Sequence, residues 1–553
     1  MIRFAALSCS AITAAIVGTT SFQPPASLFL PTHSSSSNTA QQPLLLSVFS
    51  SASSSSRIIR HHKTTLLRFS STHNSDSSSS STATTHDDHN DAQYQLEQKT
   101  WMFRDKYPIA YEVASIVDGA TTNNKSSYVI TTTATTVPIL LLNGFGVGSF
   151  HQHRLMRQLL IEQQQQPQTR QNRYVIYGID YLGQGKSWPI NPQDGNSPDE
   201  YQLGYSADTW LDQLASFVQE VILSLSSTAN DDDSTTTSTN NSWKQKSIHN
   251  TKVHLVGNSV GGYLATILTH RHPSLISSLT LLNATPVWGL NLPGWDGKLP
   301  APSIPKAIGR QLFDVIRNEN VILQYLETAY VRREAFDGTF LDSFDGWGWW
   351  RRCIGTTTTN DDDVDDDDED HLLLEQGGGG GESLGVKIRG CTEGNGGHAA
   401  FASILWSAPA SGISFYDALQ QVPVDVLLLF GGDDPWCTQA VGKRMHVTLA
   451  SREEKRRRSS GDDDDDAAAP AAAQRFVVLE NVGHCPNHEA PSAVASVLIP
   501  WLNANDSEER SVVRLDSQGE IQEPWGEVSI REVSIEESKS LGFVDRVVSA
   551  MVG

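Results

Sequence analysis

The stretch Gly257-Asn258-Ser259-Val260-Gly261-Gly262 constrains the fold more than any other. Before it, Val253-His254-Leu255-Val256 is short, apolar and partly β-branched, and reads as a buried strand. After it, Tyr263-Leu264-Ala265-Thr266-Ile267-Leu268 reads as a helix that Pro273 ends. G-x-S-x-G between a strand and a helix is the nucleophile-elbow pattern, a sharp turn that lifts a serine hydroxyl out of the sheet. The flanking glycines let the two backbones pass where a side chain would clash. The turn also aims the first N–H groups of the helix at whatever the serine attacks.

Around this stretch, continuous apolar runs alternate with helical patterns. Pro138 to Asn143, Tyr174 to Asp180, Leu279 to Leu282, Val424 to Phe430 and Arg475 to Glu480 all read as strands. Trp101 to Arg104 and Ile109 to Val113 read as a strand pair around Pro108, and Tyr128 to Thr132 as a further strand. Helices are expected from His151 to Ile161, and from Thr209 to Leu225, where Leu211, Leu214, Phe217, Val218, Val221, Ile222 and Leu225 share one face. Strands buried on both faces, alternating with helices, mean an α/β fold with a mostly parallel central sheet and helices on both faces. The loops at the C-terminal ends of such strands carry the active site.

From Pro286 to about Gln420 the alternation stops. Helical stretches are expected at Ile304 to Ile316, Glu319 to Glu334 and His398 to Leu405, with many large aromatics. This segment reads as an inserted helical cap, suited to a large, flat, apolar substrate.

The predicted organisation is a signal peptide (1–21), a plastid transit or disordered segment (22–95), two parts of the core (96–285 and 421–505) around the cap (286–420), and a C-terminal extension (506–553). Arg3 precedes a short apolar run, and the following segment is serine-rich and basic, with no acidic residue before Asp76. A signal peptide joined to such a segment, with Phe22 at the junction, resembles the two-part presequence of proteins bound for secondary plastids. No later run is long and apolar enough to span a bilayer. Three aspartate-rich blocks, 231–233, 361–370 and 462–466, lie in low-complexity insertions and lack the interrupted spacing of a calcium loop. The insertions are expected at 226–250, 356–381 and 452–473. Net charge of −22 argues against a nucleic-acid partner. Five scattered cysteines give neither a disulfide framework nor a zinc pattern, and no metal or organic cofactor is expected.

A serine becomes a nucleophile when a histidine takes its proton and a carboxylate orients that histidine. The chain supplies Asp434 after one buried strand and Gly483-His484 after the next. The order Ser259, Asp434, His484 is that of α/β-hydrolases. Asp434, directly before Pro435, is favoured over Asp433; His488 lacks the preceding glycine. Asp180 is expected to tie down its loop through Gln184, and Asn283 leaves its strand tip without an acid. Gly144-Phe145 should supply one oxyanion donor through the Phe145 N–H, with the Val260 N–H as the other.

Several longer runs are more specific. They are Asn143-Gly144-Phe145-Gly146-Val147-Gly148-Ser149-Phe150-His151, Ile179 to Gly185, Gly257 to Tyr263, Leu281-Leu282-Asn283-Ala284-Thr285-Pro286-Val287-Trp288-Gly289, Ala400 to Ile404, Asp434-Pro435-Trp436 and Gly483-His484-Cys485-Pro486. In these the chain resembles the plant pheophytinases from about Trp101 to Leu502. The resemblance implies hydrolysis of the phytyl ester of pheophytin, the magnesium-free chlorophyll, to pheophorbide and phytol in a plastid. It implies Ser259 as nucleophile, His484 as base and Asp434 as acid, with Phe150, His151, Trp288 and Trp436 as substrate-binding residues. A pheophytin-like tetrapyrrole phytyl ester is then the partner, with transient thylakoid contact. A chlorophyll dephytylase or another lipophilic carboxylesterase is the alternative, and a non-catalytic tetrapyrrole- or lipid-binding protein the alternative of a different class.

Overall fold

The computed structural model describes residues 94–116, 135–165, 172–188, 206–224, 252–288, 311, 314–337, 383–392, 409–460, 471–515 and 520–540. The strand expected at Tyr128 to Thr132, the expected helix at His398 to Leu405 and most of that at Ile304 to Ile316 lie outside them, as does the expected presequence up to residue 93.

Nine strands form one sheet in the order β1-β2-β4-β3-β5-β6-β7-β8-β11. They are β1 (Tyr94–Phe103), β2 (Tyr107–Ile116), β3 (Thr135–Leu142), β4 (Asn172–Ile179), β5 (Val253–Asn258), β6 (Ile276–Leu282), β7 (Asp425–Gly431), β8 (Gln474–Leu479) and β11 (Ile530–Glu532). The six from β4 to β8 are mutually parallel. The antiparallel β1–β2 hairpin covers one edge and β11 the other. Val, Ile and Leu fill the parallel strands because both faces are covered, and β5 and β7 are buried at every position.

The helices are α1 (His153–Gln165), α2 (Ala207–Phe217), α3 (Val260–Arg271), α4 (Glu319–Ala329), α5 (Leu384–Gly390), α6 (Phe415–Gln421), α7 (Gln439–Ser460), α8 (Pro491–Asn503), α9 (Ser507–Val512) and α10 (Ile535–Lys539). Two cores result. One packs Trp210, Leu214 and Phe217 of α2 and Leu264 and Leu268 of α3 with Leu140, Leu255 and Phe430 of the sheet. The other packs Leu155 and Leu159 of α1 and Val494, Leu498 and Trp501 of α8 with Leu141, Val256 and Val477. Alternate residues of each strand serve opposite faces, as the period of two demands. A third, smaller cluster gathers residues of the segment expected to form a cap: Ile322, Leu326, Tyr330, Phe336 and Leu384, packed against Phe150, Trp436 and Cys485.

Four local readings change. The first turn lies at 104–106, where Arg104 and Asp105 take positive φ, and Pro108 sits inside β2 opposite Met102. Pro108 pairs within an edge hairpin, where its missing N–H is tolerated. β1 also begins at Tyr94, earlier than expected. The expected insertion at 452–473 is in part helix, because α7 runs to Ser460. Arg452 is buried and donates to the carbonyls of Val422, Val424, Ala472 and Ala473. Finally, the described part of the C-terminal extension, 506–515 and 520–540, joins the fold. It supplies α9, β11 and α10 and a two-stranded ribbon, β9 (Ile521–Glu523) with β10 (Gly526–Val528).

Candidate active site

The elbow forms as its sequence demands. Ser259 has φ 54° and ψ −120° and caps α3. That backbone conformation is strained for a residue with a side chain and persists where packing fixes it. Here Ser259 N–H donates to Leu282 O, and its carbonyl accepts from Gly262, Tyr263 and Thr285. A Cβ on Gly257 would lie 2.5 Å from Gly261 O, and one on Gly261 would lie 2.5 Å from Leu142 O. Both positions are therefore confined to glycine by contact with neighbouring backbone.

The sheet then delivers three side chains to one point. Ser259 follows β5, Asp434 follows β7, and His484 follows β8. Ser259 Oγ lies 2.9 Å from His484 Nε2, and His484 Nδ1 lies 2.7 Å from Asp434 Oδ2. Asp433, by contrast, is exposed, and His488 bonds through Nδ1 to the Tyr330 hydroxyl instead. Asp434 is 3% exposed. Burial alone would raise its carboxyl, but His484 and the N–H groups of Trp436 and Cys437 outweigh it and hold the group below its ordinary value. Asp434 thus stays ionised through neutral pH. The Sγ of Cys437 lies within 4.8 Å of the Asp434 and His484 ligand atoms. Burial pushes the Cys437 thiol well above its ordinary value, so it stays protonated beside the pair.

Asn283 is a residue that sequence reasoning passed over. Its position at the tip of β6 offers no acid, yet its amide donates to Asp434 Oδ2 at 2.7 Å and its Oδ1 accepts from Gly431 N at 2.8 Å. It holds φ 40°, a conformation that Asn tolerates better than most residues. Asn283→Asp would replace that donor with a carboxylate facing Asp434. A hydrogen bond to a charged group is worth about 1.5–3 kcal/mol, so kcat on a nitrophenyl ester is expected to fall about 10- to 100-fold with KM little changed. Steady-state kinetics of the folded variant checks this. Asn258 is a second such residue: its amide donates to Leu282 O and to His484 O, tying the elbow to the histidine loop.

The glycine-rich loop after β3 lies over the serine. A Cβ on Gly144 would stand 3.4 Å from Ser259 Cβ. Phe145 follows Gly144, and Val260 is the first residue of α3, so both chain neighbours expected to donate to an oxyanion adjoin Ser259. The loop is fixed by Asn143, which donates to Val147 O, and by Gln184, whose Oε1 accepts from Gly146 N at 2.8 Å. Asp180 does not act through Gln184. Its carboxylate accepts from Ser149 N and Lys186 N at 2.6 and 2.7 Å, joining the loops after β3 and β4. The reason is that Gly185, at φ 57°, packs directly against that carboxylate and leaves Gln184 free to turn to Gly146.

The four expected substrate-binding residues divide. Trp436 is at the site: its ring meets His484 edge-on, with centroids 4.8 Å apart. Phe150 is half-buried beneath the cap cluster. Trp288 is a correction. It is 2% exposed and packed between Trp210 and Tyr263, so it serves the core. His151 is another. It is 2% exposed, bonded through Nε2 to Tyr330 and stacked on His488 at 4.6 Å, and so engaged with protein rather than presented to a ligand.

Residues 139–497 match the model of the alpha/beta hydrolase family, well over half of the chain. The chain belongs to that family. It is also similar to "Pheophytinase, chloroplastic" of Arabidopsis thaliana, with 25% identity over 393 residues, which is 67% of this chain and 62% of that protein. The matched stretch thus spans less than two-thirds of the relative's length. Among solved structures the chain is similar to an esterase from Exiguobacterium antarcticum (15% identity, 73% of this chain and 98% of that one, TM-score 0.40). It is likewise similar to a thermophilic esterase from Thermogutta terrifontis (16% identity, 73% and 98%, TM-score 0.38).

Proposed function

We propose that this α/β-hydrolase is a serine carboxylesterase that removes the phytyl chain from pheophytin, giving pheophorbide and phytol, in a plastid. The observation that carries the chemistry is the continuous hydrogen-bonded line from Ser259 Oγ through His484 to Asp434. His484 Nε2 takes the serine proton as Oγ attacks the ester carbonyl. The ionised Asp434 holds the Nδ1 proton and stabilises the imidazolium. The N–H groups of Phe145 and Val260 receive the developing oxyanion, and each such donor is worth roughly 3–4 kcal/mol in the transition state. His484 then protonates the leaving phytol, and water activated by the same imidazole frees the acid from Ser259.

The substrate half rests on the similarity to the chloroplastic pheophytinase and on the resemblance of the runs Asn143 to His151 and Leu281 to Gly289 to those of plant pheophytinases. The apolar underside of the cap, with Trp436 and Phe150, suits a tetrapyrrole or its isoprenoid tail. The chloroplastic relative, together with the serine-rich, acid-free N-terminal segment, supports the plastid, reached through a secondary-plastid presequence. A lipid-borne substrate would bring the protein into transient contact with thylakoids; no helix among the described residues is long and apolar enough to cross a membrane.

Recombinant protein starting before Tyr94, offered pheophytin and chlorophyll separately, tests the reading. Release of pheophorbide from pheophytin alone is the expected result. Cleavage of both pigments would instead indicate a dephytylase of broader range. Cleavage of neither, with a nitrophenyl ester still hydrolysed, would overturn the tetrapyrrole assignment and leave a lipophilic carboxylesterase.

A further inference from the structure

We propose that Glu489 is a positioning residue for the reaction, whose carboxylate clamps cap residues 329–332 to the loop carrying His484, so that the triad is assembled against the cap. The proposal rests on the serine-hydrolase reading of Ser259 and His484, and deepens it.

The histidine loop leaves β8 and runs along the end of α4. His484 N–H donates to Ala329 O at 2.7 Å. A Cβ on Gly483 would come within 2.1 Å of that same carbonyl, so the two backbones are in direct contact. Glu489 sits behind them, 0% exposed, on the single helical turn Pro486–Glu489. Its two oxygens serve different segments. Oε2 accepts from Gly483 N at 2.7 Å, on the histidine loop. Oε1 accepts from Val331 N and Arg332 N, each at 2.9 Å, on the cap. An ionised carboxylate can do this, being acceptor-only at both ends with charge-assisted bonds to N–H groups; burial raises the Glu489 carboxyl to about 7, against the lowering pull of the three backbone donors and Arg332.

The same cap residues also reach the other wall of the site. The Tyr330 hydroxyl bridges His151 Nε2 at 2.9 Å and His488 Nδ1 at 3.0 Å. Asn487 donates to His151 O. His151 lies in the turn Ser149–Gln152, directly after the glycine-rich loop. Trp525, from the ribbon in the C-terminal segment, donates to Glu489 O and fixes the helical turn from behind. Cap, histidine loop and glycine-rich loop therefore meet at one buried junction, and Glu489 is the member bonded to the residue preceding His484.

Glu489→Gln replaces one oxygen with an NH2 group. Whichever way the amide turns, a donor faces a backbone donor, so either the cap or the histidine loop is released. The readout is the second-order rate at which a small alkyl fluorophosphonate labels Ser259. In that step the Oγ–P bond forms, fluoride leaves and His484 takes the hydroxyl proton, and no tetrapyrrole is needed. The wild-type chain is expected to label. Glu489→Gln, held below its melting temperature, is expected to label at least tenfold more slowly, and its kcat on a nitrophenyl ester to fall while KM moves less than threefold. Arg510→Ala, which breaks a buried ion pair with Asp425 at the start of β7, away from the site, is expected to lose stability yet label within twofold of wild type. Should Glu489→Gln fail to fold, Val331→Pro deletes one cap-side donor beneath an exposed side chain and is expected to slow labelling in the same direction. Wild-type labelling with an unchanged rate in Glu489→Gln, or in Val331→Pro where that variant stands in, overturns the clamp alone. Absence of labelling in the wild type overturns the serine-hydrolase reading, and the clamp with it.

Discussion

Ser259→Ala is expected to lower kcat by about 10⁴- to 10⁶-fold while leaving the folded chain and its affinity for the ester substrate intact. The size follows from what the hydroxyl does. Without Oγ there is no covalent acyl intermediate, and His484 has no proton to move. What remains is binding and the oxyanion donors, which still hold the ester carbonyl. The alanine also removes little packing, because the strain at the elbow is borne by backbone bonds from Leu282, Gly262, Tyr263 and Thr285 rather than by the serine side chain. Equilibrium binding of pheophytin, followed by quenching of tryptophan emission beside single-turnover kinetics, separates the two. A variant that neither binds nor turns over would point to misfolding, whereas one that turns over at more than a hundredth of the wild-type rate would remove Ser259 from the role of nucleophile.

Arg510→Ala is expected to destabilise the fold by about 3–5 kcal/mol, the usual loss when one partner of a buried ion pair is removed. Arg510 Nη1 lies 2.7 Å from Asp425 Oδ2, and the two side chains are 7% and 5% exposed. The guanidinium also donates to Trp501 O and Ala504 O. On the other side, Asp425 Oδ1 accepts from Ala473 N and Ser507 Oγ. The alanine leaves an ionised carboxylate buried at the first residue of β7 and two carbonyls short of a donor. Thermal melts should show a drop of many degrees, partly recovered by Asp425→Asn in the same chain, since that change removes the stranded charge. A fall of less than 1 kcal/mol would mean that water reaches the carboxylate once the arginine is gone.

These two residues mark the limits of what the sequence discloses. Ser259 was legible because its chemistry is local: a strand, a strained turn and a helix must follow one another, and glycines must stand where backbones touch. His484 and Asp434 were legible because each ends a long apolar strand. Arg510 was not. It lies in a mixed, acidic stretch, and its contribution depends on Asp425, far away in the chain. The three-residue β11 has no periodicity to read, and it exists because β8 offers it an edge. The role of Asn283 was passed over for a related reason. The sequence shows that it is no acid, but only the fold brings it to Asp434. Trp288 and His151 stand within motifs that belong to the site, yet the chain folds both side chains inward. The turn at 104–106 was missed because Pro108 is the stronger local signal, while Arg104 and Asp105 adopt positive φ without glycine to announce it.

The antiparallel β11 has a consequence in time. Its partner β8 leads directly into Gly483 and His484, and until residues 530–532 arrive β8 has β7 on one side only. An unpaired strand edge is a template for another chain. The parallel pairing of β3 with β5, which carries the glycine-rich loop and the elbow, does not depend on that edge. The strand that leads into the histidine is thus the one whose outer edge closes only when residues 530–532 dock, and until then it is open to pairing with another chain.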